Sequence, residues 1–208
     1  MRQELSARFG DDGALRLQSG ALEMSVVAGA FRPFGDHVQH CESGCEITIS
    51  RGDAPPQKIT LGSLYLDTQA TFLRGSLVEG EGKGHSLVVT DVDGDGQEDL
   101  IVWTGLEGAY GGPSYDVYLY RSGGGYIHSQ EISDLTLGAS ALFTIEAGRL
   151  KVPSKDGCCF HAYDTYELSD GVPTLIERIT EDSSGEGPPV VRTQRLVGGE
   201  LKEVASED

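Results

Sequence analysis

Short apolar runs separated by glycine-bearing turns dominate the sequence. Leu22, Met24 and Val26 alternate with polar residues, and Ile47 and Ile49 belong to a second alternating run. Such alternation places apolar side chains on one face of a strand. Further strand–turn–strand patterns pair residues 115–121 with 126–129, 141–145 with 150–152, 160–168 with 175–180, and 190–197 with 201–204. The pattern predicts an all-β fold of sequential hairpins, propeller-like or sandwich.

The length of 208 residues fits one domain with a sizeable core. We assign residues 21–204 to that domain. Residues 1–20 form a polar segment that can fray, and residues 205–208 form an acidic tail that we expect to be disordered. Residues 59–73 are the one candidate for a helix or a mixed segment, because their apolar spacing fits neither period cleanly.

The most informative stretch, residues 86–105, reads SLVVTDVDGDGQEDLIVWTG. Two apolar runs flank an acidic loop, so the pattern is strand, loop, strand. Carboxylates at alternate positions of a tight turn can converge on a hard dication such as calcium, which binds about six to eight oxygens. The predicted ligands are four carboxylates and one backbone carbonyl: Asp91, Asp93, Asp95, Asp99 and Gln97.

The loop differs from an EF-hand, which needs a glutamate at its twelfth position and helices on both sides. Here the twelfth position is Val102, inside a predicted strand. The pattern D-x-D-x-D-G-x-x-D between strands is similar to the loops of integrin-type β-propeller repeats. The alternative is a solvated acidic hairpin without an ion.

The net charge of −17 narrows the classes of molecule that the protein is expected to bind. Nucleic acids and anionic membrane surfaces would be repelled, whereas a cationic partner is favoured. Acidity that serves solubility alone is the alternative. No apolar run reaches the roughly eighteen residues of a membrane span, so we predict no span and no nucleic-acid partner.

The four cysteines, Cys41, Cys45, Cys158 and Cys159, favour disulfides and an oxidising compartment, with three pairings open. Zinc is the weaker alternative, because adjacent cysteines chelate a metal poorly. The N-terminus lacks the apolar core of a signal peptide. This leaves either a cytosolic protein or the mature form of a periplasmic or secreted one, and the cysteines favour the second.

No sequence motif of a known catalytic site is present, so we do not expect an enzyme. Glu107 and Asp116 could form an acid pair of a hydrolase, but no other pattern supports this. Residues 105–116, GLEGAYGGPSYD, combine glycine with Tyr110 and Tyr115, a composition typical of protein recognition. The candidate partner-binding residues are therefore Glu107, Tyr110, Tyr115 and Asp116. Equally, both rings can pack beneath the loop.

The segments VVTDVDGDGQEDLIVWTGLEGAYGGPSYDVYLYRSGGGYIHS and KDGCCFHAYDTYEL together resemble secreted bacterial immunity proteins. Those proteins carry a calcium-loop hairpin and inhibit peptidoglycan-cleaving effectors of type IV and type VI secretion. The resemblance implies a periplasmic, β-rich, non-enzymatic protein that occludes the active site of a lysozyme-like or amidase effector. It also implies calcium at the four aspartates of the acidic loop and makes residues 108–115 a candidate for insertion into the effector.

A cell-wall hydrolase is commonly basic, and a strongly acidic inhibitor would be steered towards it. The alternative function is a calcium-dependent adhesion or carbohydrate-binding module whose loop tyrosines stack on sugar rings.

Overall fold

The computed structural model describes residues 3–5, 9–78 and 84–204. The described strands, in chain order, are β1 Gln3–Leu5, β2 Leu15–Ser19, β3 Leu22–Val27, β4 Arg32–Phe34, β5 Val38–Cys41, β6 Cys45–Arg51, β7 Gln57–Leu61, β8 Leu64–Asp67, β9 Phe72–Arg74, β10 Leu87–Thr90, β11 Asp99–Gly105, β12 Ser114–Arg121, β13 Gly125–Ser129, β14 Thr144–Glu146, β15 Arg149–Asp156, β16 Phe160–Ser169, β17 Val172–Asp182, β18 Val190–Val197 and β19 Glu200–Val204. A short helix, α1, spans Gln130–Asp134, and a 3-10 turn spans Ala109–Gly111.

These strands form four sheets, which confirms the predicted all-β class. The central sheet has the order β1-β9-β10-β11-β12-β13, in which only β9 and β10 pair in parallel. A second six-stranded sheet runs sequentially from β14 to β19, and two smaller sheets have the orders β2-β3-β6-β7 and β4-β5-β8. The arrangement is sandwich-like.

Strands β10 and β11 of the central sheet are buried on both faces, which explains their unbroken apolar sequences. Along β11, Leu100 and Val102 enter one hydrophobic cluster, together with apolar residues of β2, β3, β6 and β7. Ile101 and Trp103 enter the opposite cluster, which includes Leu150 of β15. Strands β2 and β3 instead alternate buried and exposed residues because only one of their faces is covered.

Residues 59–73 contain no helix; they contribute to β7, β8 and β9. Of the two possibilities for this stretch, the helix is excluded, since each apolar run is too short for a helix and is broken by polar residues and Gly62. The described helix lies instead at α1, where the Ser129 hydroxyl accepts a hydrogen bond from the backbone N–H of Ile132 at 3.4 Å.

The polar N-terminal segment is shorter than predicted. Leu15 and Leu17 of β2 are buried in the core, so residues 15–19 belong to the folded domain. The polar residues Arg16 and Gln18, on the solvent face, alternate with the two leucines, and for this reason the sequence pattern predicted a polar segment here. The predicted acidic tail, residues 205–208, lies outside the described residues. Within the described ranges, no helix is long and apolar enough to cross a membrane.

Candidate functional site

The acidic loop closes the β10–β11 hairpin in the middle of the central sheet. Thr90 and Asp99 are register partners at its base, as the strand–loop–strand pattern predicted. Asp91 accepts hydrogen bonds from the backbone N–H groups of Gly94, at 2.8 Å, and Gly96, at 3.0 Å. Both glycines have positive φ, 77° and 82°, which lets the backbone turn tightly around this carboxylate.

Three of the predicted ligands come together. One carboxylate oxygen from each of Asp91, Asp93 and Asp99 lies within 4.8 Å of the other two. Asp95 is outside this group; its carboxylate accepts a hydrogen bond from the backbone N–H of Gln97 at 2.7 Å. Convergent hard oxygens are the donor set that calcium prefers, so these three residues fit the predicted ion.

Asp99 is the buried member of the cluster, with 0% of its surface exposed. Its two oxygens accept backbone hydrogen bonds from Val92, at 2.7 Å, and from Tyr120, at 2.8 Å. Burial raises the pKa of this carboxyl from 3.8 to about 7, and the nearby charges of Asp93 and Asp95 also raise it. A bound cation would favour the ionised form.

Arg121, at the end of β12, is a cation that the sequence analysis missed. Its guanidinium lies 2.6 Å from Asp93 and 3.2 Å from Asp95. The arginine therefore neutralises part of the loop, and it would compete with a metal for Asp93. The register of β11 and β12 brings it there, and no spacing rule along the chain indicates that register.

The glutamate preceding Asp99 fixes the base of the loop. Glu98 makes a bidentate ion pair with Arg74, with distances of 2.7 and 2.8 Å, and this pairing lowers the pKa of the Glu98 carboxyl. Arg51 donates to the Glu98 carbonyl at 2.7 Å and lies over the ring of Tyr120. Arg51 is thus engaged within the fold.

Residues 106–113, here called the tyrosine loop, join β11 to β12 at the opposite end of β11. Tyr110 is 72% exposed and has a left-handed backbone, with φ of 58°. The loop beneath it is held by backbone hydrogen bonds: Gly108 to Gly112 at 3.0 Å, and Ala109 to Ala139 at 2.8 Å. The backbone therefore presents an aromatic side chain to solvent from a defined position.

The other predicted partner-binding residues occupy different environments. Tyr115 is 2% exposed and packs in the core, so its proposed place on the binding surface is corrected to one beneath the loop. Glu107 is exposed and accepts a hydrogen bond from the Ser114 hydroxyl. Asp116, next to Tyr115 in the strand, points to the opposite face of the sheet, 3.6 Å from His128. Tyr110 and Glu107 are thus the two members of the set that share the tyrosine loop.

The cysteines form two local disulfides. Cys41 pairs with Cys45 across the β5–β6 turn, and Cys158 pairs with Cys159 in the β15–β16 turn. This resolves the open pairing. It also removes the thiolates that the zinc alternative requires, since none of the described cysteines is free.

A solved structure described as a Xanthomonas type IV secretion system related protein is similar to this chain over nearly its whole length. The two superpose with a TM-score of 0.93 at 36% sequence identity, and the match covers 99% of this chain and 100% of that one. The chain belongs to the family of that Xanthomonas protein. No family model and no curated protein matches the chain. Family membership supports the secretion-related part of the sequence resemblance, whereas effector inhibition and calcium binding stay predictions.

Proposed function

We propose that the protein is an immunity protein associated with a type IV secretion system. It binds a secreted antibacterial effector, a peptidoglycan hydrolase of lysozyme-like or amidase type, and occludes its active site. Membership in the family of a type IV secretion system related protein supports the secretion context. Two disulfides support an extracytoplasmic location, which we propose to be the periplasm.

The observation that carries the proposal is the presentation of Tyr110. Tyr110 is 72% exposed, and the loop that carries it is already held by backbone hydrogen bonds, so the loop backbone loses little conformational entropy on binding. Tyrosine supplies a large contact area with few rotatable bonds and is enriched among residues that dominate binding energy. The ring is therefore suited to enter a cleft in a partner protein, with Glu107 beside it on the same loop.

Calcium has a structural role in this proposal. Asp91, Asp93 and Asp99 would hold the ion, which would neutralise their charges and stabilise the β10–β11 hairpin. The same hairpin supplies β11, the strand from which the tyrosine loop emerges. The net charge of −17 supports steering towards a basic hydrolase.

Capture tests the proposed function. The protein, immobilised with calcium, is exposed to the product of the neighbouring gene and to a panel of lysozyme-like and amidase hydrolases, with Tyr110→Ala and Tyr163→Ala as parallel baits. Tyr163 is a matched control because it is 43% exposed on the sheet formed by β14–β19. We expect wild type and Tyr163→Ala to capture a hydrolase, and Tyr110→Ala to bind it about 30-fold or more weakly.

Retention on peptidoglycan or other glycans without capture of any hydrolase would instead support the carbohydrate-binding alternative. Equal capture by Tyr110→Ala and wild type would remove Tyr110 from the binding surface.

A further inference from the structure

The tip of the β15–β16 hairpin contacts the tyrosine loop, although the two are far apart in sequence. The Tyr110 hydroxyl donates a hydrogen bond to the carbonyl of Gly157 at 3.0 Å. The ammonium of Lys155 lies 5.6 Å from the centre of the Tyr110 ring. Gly157 directly precedes the Cys158–Cys159 disulfide, and Lys155 lies three residues before it. The one strongly exposed ring of the tyrosine loop is therefore held at its far end by this hairpin tip.

The two disulfides differ in accessibility. Cys41 and Cys45 are 0% exposed, whereas Cys158 is exposed and Cys159 is partly exposed. Thiol–disulfide exchange requires access of the attacking thiolate to a sulfur atom. A soluble reductant will therefore reach the Cys158–Cys159 bond first.

A bond between adjacent cysteines closes a small ring that includes the peptide linking them. The ring restricts the backbone of a turn in which Gly157 already has a positive φ of 67°. Because the Gly157 carbonyl accepts a hydrogen bond from the Tyr110 hydroxyl, the conformation of this turn sets the position of the acceptor. Opening the ring would give the turn more conformational freedom and would weaken this hydrogen bond.

We propose that the Cys158–Cys159 turn is a redox-sensitive positioning element for Tyr110. The proposal rests on the proposed function for its partner, the hydrolase effector. Tyr110 makes the contact, and the disulfide acts through it. In an oxidising compartment the closed disulfide holds Tyr110 in position for binding, and in a reducing compartment this hold is weaker.

The redox step is an ordinary exchange with a dithiol such as dithiothreitol. One thiolate of the reductant attacks a sulfur of the pair and forms a mixed disulfide, and its second thiolate then displaces the remaining cysteine. Two electrons pass to the protein, which gains two thiols after protonation. The dithiol is oxidised to its cyclic disulfide.

Hydrogen exchange of the intact protein tests the inference without any partner. The amides of Gly108 and Ala109 are the probes, because both donate hydrogen bonds within or beneath the loop. We expect the exchange of both amides to accelerate about fivefold, the equivalent of one lost hydrogen bond, in three cases: wild type with dithiothreitol, Cys158→Ser/Cys159→Ser, and Tyr110→Phe. Tyr110→Phe keeps the ring and removes only the hydroxyl that donates to Gly157.

Dithiothreitol added to Cys158→Ser/Cys159→Ser should cause no further change, since the buried Cys41–Cys45 bond stays closed. Unchanged exchange in the double serine variant, or an equal reductant effect in that variant and in wild type, would overturn the inference. Binding to the captured hydrolase is measured in parallel and should weaken by a similar factor. Accelerated exchange together with failure to capture any hydrolase would leave the positioning role intact and reject the proposed function.

Discussion

The two loops that flank β11 orient their side chains in opposite directions. The acidic loop at its start turns carboxylates inward, and its side chains accept hydrogen bonds from its own backbone, as Asp91 does from Gly94 and Gly96. The tyrosine loop at its end is held by backbone-to-backbone bonds, such as Ala109 to Ala139, and turns Tyr110 outward. One loop brings carboxylates together against the buried Asp99, and the other exposes an aromatic ring to solvent.

This difference predicts that substitutions in the two loops affect different properties of the protein. Damage to the acidic loop should lower the stability of the whole domain, because its strands β10 and β11 lie in the centre of the core. Damage to the tyrosine loop should affect binding and leave the melting temperature almost unchanged, because its exposed ring contributes little to the core. The substitutions below separate these outcomes.

The largest expected effect is the pH dependence of stability that Asp99 confers without calcium. The pKa of this carboxyl is raised from 3.8 to about 7 in the folded protein, so the folded state binds the extra proton. Stability is therefore full below about pH 4 and is lost as the pH rises to about 7, by at most on the order of 4 kcal/mol. Urea unfolding in EDTA between these pH values should show a loss in wild type that Asp99→Asn lacks. Parallel pH profiles of the two proteins would contradict this account.

Calcium should stabilise the acidic loop by a somewhat smaller amount. At a hundredfold excess over its Kd, an ion that binds only the folded state adds about 2.7 kcal/mol. The melting temperature should then rise by roughly 5–10 °C in wild type. Asp93→Ala/Asp95→Ala should show no response to calcium or EDTA. The control Asp53→Ala/Glu200→Ala, which removes two carboxylates away from the acidic loop, should respond like wild type. Identical melting of wild type with and without EDTA would reject the calcium site.

A substitution at Gly108 should damage the tyrosine loop alone. A Cβ atom there would lie 2.7 Å from the carbonyl oxygen of Pro113 and 2.8 Å from that of Gly112, so the backbone must shift. We expect Gly108→Ala to weaken hydrolase binding about tenfold while calcium still raises the melting temperature. Gly185→Ala is the control, because open space surrounds its Cβ position. A loss of calcium response in Gly108→Ala would mean that the two loops are not independent.

The smallest expected effect concerns Arg121, which pairs with two aspartates of the acidic loop and would compete with calcium for them. Removing its guanidinium frees Asp93 and Asp95 from ion pairs of 2.6 and 3.2 Å. Calcium titration of Arg121→Gln should therefore give a Kd about fivefold lower than that of wild type, since the two partly exposed ion pairs together contribute about 1 kcal/mol. Arg195→Gln, on the distant strand β18, serves as the control and should not change the Kd. A weaker calcium affinity in Arg121→Gln would show that the arginine supports the site.

The sequence predicted the features that depend on local pattern. The apolar runs and the acidic spacing located β10, β11 and the loop between them, and glycine-bearing turns located the later hairpins. Features that depend on how the strands pair and how the sheets pack could not be predicted from the sequence. Tyr115 and Asp116 are adjacent and therefore point to opposite faces, but only the packing of the sheet decides which face Tyr115 occupies. The bond from Tyr110 to Gly157 joins residues 47 positions apart, and no local pattern encodes it.

The central claim is that this protein inhibits a peptidoglycan hydrolase stoichiometrically through the tyrosine loop. The most direct test is a titration of a captured hydrolase, with turnover of purified peptidoglycan as the readout. The account predicts that activity falls linearly to zero at one equivalent of wild-type protein, and that Tyr110→Ala at the same concentration leaves most activity intact. Full hydrolase activity in the presence of a large excess of wild-type protein would contradict it.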